Sequence, residues 1–86
     1  MDKEEFKRLE KGKEIINDIG CARSTIEIVD NLLADNDIKG GMIVVSNGCN
    51  NTRVPLTQEL CGKLLKVVYH ALNADIIKLE KQFEEL

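Results

Sequence analysis

The chain has no tryptophan, a single tyrosine (Tyr69) and two phenylalanines (Phe6 and Phe83). A core without large rings must be aliphatic, built from Ile, Leu and Val. There is no long apolar run either. Nothing approaches the ~20 residues that a membrane-spanning helix needs, so no membrane partner is expected. The opening segment MDKEEFKRLE is charged and has no apolar core, so no secretory signal is expected. The cysteines Cys21, Cys49 and Cys61 are odd in number and lack paired spacing. That pattern suits a reducing, cytoplasmic compartment. An excess of basic charge is also missing. Twelve Lys and Arg stand against 15 Asp and Glu, for a net charge of −3. A nonspecific grip on a nucleic-acid polymer needs the opposite balance.

Catalytic signatures are absent as well. There is no glycine-rich dinucleotide or phosphate-loop pattern, and Gly62-Lys63 lacks both the preceding glycine and the following Ser or Thr. The one trio with metal-ligand chemistry, Cys49, Cys61 and His70, has no C-x-x-C spacing. Cys61 falls on an apolar stripe, where a free cysteine acts as a small hydrophobe. Cys61 and His70 are nine residues apart on one helix, more than two turns, too far for a nucleophile–base hydrogen bond. No catalytic residue, metal or cofactor is therefore expected, and the chain reads as a non-enzyme.

What the sequence does have is periodicity. Its 86 residues make one domain, 1–86. A chain of this size buries roughly 60–65% of its unfolded surface and is marginal alone, and oligomerisation is the usual remedy. Residues 2–34 read as a helix. Leu9, Ile15, Ile16, Ile19, Ala22, Ile26, Val29 and Leu33 form its apolar stripe, regular from Ile19 onward. Gly12 and Gly20 each weaken it by about 1 kcal/mol, and a bend or a close helix–helix approach is expected at Gly20. Asp35-Asn36-Asp37 ends the helix, because short polar side chains compete for backbone hydrogen bonds. Gly40-Gly41 continues the loop. Met42-Ile43-Val44-Val45 reads as a strand, Asn47-Gly48 as a hairpin turn, and Thr52-Arg53-Val54 as the returning strand, giving a hairpin over about 42–54. Pro55 donates nothing to a ladder and puts the second strand at an edge, or marks the strand's end.

A second helix is predicted over about 57–86. Thr57 is its N-cap, and Leu56 is placed to staple onto Cys61. Its stripe is Cys61, Leu65, Val68, Leu72, Ile76, Leu79, Phe83 and Leu86, with Leu60, Leu64, Val67, Ala71 and Ala74 alongside. The fold class is α+β: a long N-terminal helix, a β-hairpin and a long C-terminal helix. The first strand is apolar on both faces, while one helical layer covers only one. Pairing of hairpins from two chains, with coiled-coil-like helix packing, would hide the rest and make the chain an obligate homodimer or higher oligomer.

The polar residues suggest one ligand class. Lys63, Lys66, His70 and Asn73 share a stripe of the second helix, with Tyr69 adjoining and Arg53 just upstream. Arg53 offers a fork for phosphate and Lys66 a point charge. Thr57 opens a helix whose free N–H groups favour anions. Tyr69 and His70 offer stacking faces, and Asn73 offers base-edge hydrogen bonds. Arg53, Thr57, Lys66, Tyr69, His70 and Asn73 are thus the candidate ligand-binding residues. Loop Ser46–Asn51 is a further polar candidate, although turn chemistry already explains its Asn and Gly.

Ile43-Val44-Val45-Ser46, then Arg53-Val54-Pro55-Leu56-Thr57-Gln58-Glu59-Leu60, and a helix closing on Leu79-Glu80-Lys81-Gln82-Phe83-Glu84-Glu85-Leu86 together resemble a group of short phage and bacterial proteins. Small phage proteins of this general kind include immune-signal "sponges". These are homo-oligomers that capture cyclic nucleotides or related signals without cleaving them. The resemblance implies sequestration of a cyclic-nucleotide signal in an anti-defence role, in the host-cell cytoplasm. It supplies none of the six candidate residues. The alternative is a protein–protein interaction module, a dimeric adaptor or inhibitor of a host protein. Its acidic ends (Asp2, Glu4, Glu5 and Glu80, Glu84, Glu85) would meet a basic partner.

Overall fold

The computed structural model describes residues 2–86. Four elements follow one another: α1 (Lys3–Leu33), β1 (Gly40–Asn47), β2 (Asn50–Thr57) and α2 (Gln58–Glu84). The fold is α+β, with one antiparallel two-stranded sheet.

Local chemistry sets the boundaries. Asp2 caps α1, its Oδ1 accepting the Glu5 N–H at 2.8 Å, and the acidic first turn suits the helix dipole. At the far end the Asp35 carboxylate accepts the Asp37 N–H at 2.9 Å, a turn that competes with a further helical repeat. Thr57 caps α2, its Oγ1 accepting the Leu60 N–H at 3.2 Å.

The helices pack antiparallel. Arg23 on α1 meets Glu80 on α2 at 2.9 Å, and Gly12 lies against Phe83 and Leu86. The inward line of α1 is Gly12, Ile15, Ile19, Ala22, Ile26, Val29 and Leu33, all buried or half-buried at steps of three and four. Leu9 and Ile16, expected on this stripe, are 53% and 57% exposed, because they lie to one side of it. On α2 the corresponding line is Leu65, Tyr69, Leu72, Ile76 and Leu79. α1 is continuous through Gly20, where a Cβ would meet nothing within 4 Å. The close approach is at Gly12 instead, which is buried and would hold a Cβ at 3.5 Å from Phe83 and Leu86.

The hairpin is longer than 42–54. Gly40 pairs with Thr57 and Gly41 with Leu56, so the two glycines open β1 and are not loop. A Cβ on Gly40 would lie 2.8 Å from the Leu56 carbonyl oxygen, and one on Gly41 would lie 3.1 Å from Cys61 Sγ. Glycine is needed at Gly40 because the backbone of the paired strand approaches so closely, while at Gly41 an added Cβ would press on a helix side chain. Asn47 pairs with Asn50, leaving Gly48-Cys49 as the two-residue turn. Gly48 is at φ 62° and no non-glycine residue among those described has a positive φ. That is the pattern of a type II′ turn, with glycine first, in place of an Asn-Gly turn.

The core is small. Among the described residues, only Ile15, Val29 and Ile76 are buried hydrophobic residues, at 3%, 5% and 9% exposure. The molecule measures 54 × 34 × 14 Å, with a radius of gyration of 17.4 Å. A compact chain of this length would have roughly 12 Å. Its accessible surface is 7164 Å², against roughly 5,100 Å² for an ordinary globular chain of this mass.

Candidate functional site

The largest concavity is an open groove of about 670 Å³ between the end of α1, the start of α2 and the hairpin base. Leu32 and Ile38 form one side, Met42 and Ile43 of β1 another, and Cys61, Leu64 and Val68 the floor. Its charged lining residues are Asp35 and Asp37. It takes four residues of β1 (Gly40 to Ile43) but only Leu56 of β2, so it runs beside β1. Cys61 and Val68, expected on the apolar stripe of α2, line this groove. The reason is that α2 has two partners on adjacent sides, with the hairpin over Cys61 and α1 over Leu65, Leu72 and Ile76. Leu56 and Cys61 share the wall, as an N-terminal staple requires.

The six candidate ligand residues do not gather within one chain. Cys61, Leu64 and Val68 mark the side of α2 that carries the hairpin. At 3.6 residues per turn, the centre of Lys66, Tyr69, His70 and Asn73 lies roughly 150° around the helix from that side. Arg53 is exposed at mid-strand, opposite Val44. Thr57 uses its hydroxyl oxygen to cap α2. Tyr69 and Asn73 are half-buried, whereas Lys66 and His70 are exposed. Tyr69 and His70 pack edge to face, with centroids 5.7 Å apart and planes at 81°. None of the six lines the groove.

The polar segment Ser46–Asn51 is mostly ladder. The Ser46 hydroxyl donates to Asn51 Oδ1 at 3.0 Å across the strand pair. Among the described residues, no three His, Cys, Asp or Glu side chains come together as a metal site. The ion pairs among them are Arg23–Glu80 and Lys63–Glu59. Arg53 and Lys66 stand outside both. Among the described residues, no helix is long and apolar enough to cross a membrane.

The groove was not foreseen from sequence, although its signal was present: Leu64 sits beside the Cys61–Leu65–Val68 stripe, and Gly41 faces Cys61 across the hairpin base. Comparison with protein-family models, curated proteins and solved structures finds no match to this chain.

Proposed function

We propose that the chain is a non-enzymatic binding protein that works as an obligate homo-oligomer, with coiled-coil-like packing of helices between copies. The observation that carries this is the unburied surface. The chain exposes roughly 2,000 Å² more than a globule of its mass. Two such excesses, about 4,000 Å², match the area that obligate homodimers bury. The excess is apolar: Ile28, Val44, Val67 and Ile77 are 61%, 56%, 62% and 69% exposed.

The ligand we assign is a small anion of the cyclic-nucleotide class, held between copies, as in an immune-signal sponge. Arg53 and Lys66 support this reading, since both are exposed and neither is in an ion pair. They lie on opposite sides of one protomer, so a shared pocket needs a second chain. Arg53 and Lys66 would neutralise phosphate, and His70 with Tyr69 would stack on a base. Titration calorimetry against cyclic dinucleotides and cyclic ADP-ribose isomers tests this. The expected result is heat for at least one compound, lost in Arg53→Ala. Flat titrations from a confirmed oligomer would reject the ligand class.

A protein-interaction role is the second reading, and one feature favours it. Leu86 lies against Gly12, so α1 runs past the end of α2. The overhang presents Phe6 and Leu9 at 56% and 53% exposure. The overhang also carries Asp2, Glu4 and Glu5, interleaved with Lys3, Lys7, Arg8 and Lys11. Affinity capture from a bacterial lysate should then return one host protein in fixed ratio to this chain, and that protein should be lost in Phe6→Ser.

A further inference from the structure

We infer that the free edge of β1 is the self-association surface, and that a second copy of the chain adds its own β1 there. The product is a four-stranded antiparallel sheet in the order β2–β1–β1–β2. The inference rests on the oligomeric reading above and names the surface responsible.

The two edges of the hairpin differ. Asn47 and Asn50 flank a two-residue turn, so they form a hydrogen-bonded pair. Pairs alternate from there. Val45 with Thr52, Ile43 with Val54 and Gly41 with Leu56 face inward. The N–H and C=O groups of Met42, Val44 and Ser46 therefore point away from β2, as those of Asn51, Arg53 and Pro55 point away from β1. Pro55, opposite Met42, occupies an outward position, which explains how a proline fits the ladder at all. It also leaves the β2 edge without a donor at that point. The β1 edge has no such interruption.

The groove gives a second, independent reason. It flanks β1, and α1 packs on neither strand. A strand added to β1 would lie over it. In an antiparallel pair related by a two-fold axis near Ile43, the partner's copies of Ile43 and Val45 fall on the groove side of the sheet. Val45 is 52% exposed in one chain although it points to the same face as Ile43. The occupant is a second copy: the excess surface of each chain is of the size that obligate homodimers hide, and a two-fold pairing closes the exposed β1 edge on itself. An unclosed edge would instead propagate.

Amide hydrogen exchange on the full-length protein tests this, read alongside its mass by sedimentation. The amides of Met42, Val44 and Ser46 have no acceptor within the chain's ladder. In the assembled protein they should exchange more than about tenfold slower than those of Asn51 and Arg53. Val44→Pro removes an outward donor and should abolish the assembly together with the cooperative fold that depends on it, whereas Arg53→Pro makes the same change on the other edge and should leave the assembly intact. An oligomer whose Met42 and Val44 amides exchange freely would overturn the β1 interface and leave the oligomeric reading standing. A folded monomer would overturn both.

Discussion

The helix pair and the hairpin are both apolar, but they stand in opposite situations. Along α1 and α2, the residues spaced three and four apart find partners within the chain: Gly12 meets Phe83 and Leu86, and Ile15, Val29 and Ile76 are buried. In the hairpin only the base is packed, through Gly41 on Cys61 and through Leu56. Beyond it Val44, Val45 and Val54 remain 56%, 52% and 44% exposed. A helix satisfies its backbone within itself and needs one covered stripe. A two-stranded sheet leaves two edges and two faces, and is marginal alone in water. The lesson is that the helices bury one stripe within the chain, while most of the hairpin's apolar side chains stay exposed.

Substitutions in the two regions should therefore behave differently. The largest loss is expected at the seam. Ile76→Ala should cost about 2–4 kcal/mol in urea unfolding, from lost burial and the cavity left behind. Next comes the junction. Gly40→Ala would put a Cβ against the Leu56 carbonyl, and should cost about 1–3 kcal/mol. It should loosen the hairpin amides before the helical ones in hydrogen exchange. At the tip, Gly48→Ala forces a side chain to φ 62°, for about 1–2 kcal/mol. Gly20→Ala has the opposite sign. Nothing stands within 4 Å of the added methyl, and helix propensity alone should stabilise by up to about 1 kcal/mol. If a neighbouring copy packs closely on Gly20, the gain will turn into a loss, which sharpens the comparison. The smallest effect is at Arg23 and Glu80, largely solvated at 64% and 47% side-chain exposure. A double-mutant cycle should give less than about 1 kcal/mol.

Much of the fold was legible because it rests on local rules. The stripe from Ile19 to Leu33, the break at Asp35, the cap at Thr57 and the strand at Met42–Val45 each follow from a period or a side-chain hydrogen bond, and all four are present. Errors arose where a residue had two roles. Gly40-Gly41 reads as loop by propensity, yet close contact with Leu56 and Cys61 makes it strand. Cys61 and Val68 fit the α2 period as expected and turn toward the hairpin, a division of the stripe that the period alone does not show. The candidate site was less legible. One stripe correctly groups Lys66, His70 and Asn73, but no pattern in the sequence tells on which side of α2 the hairpin, and hence Arg53, will fold.

The central claim is that this chain hides its apolar surface against copies of itself. Sedimentation equilibrium across a dilution series into the low micromolar range tests it most directly. The account predicts a dimer or larger species throughout the range in which the protein is folded. A cooperatively unfolding species of 9.7 kDa at those concentrations would contradict it.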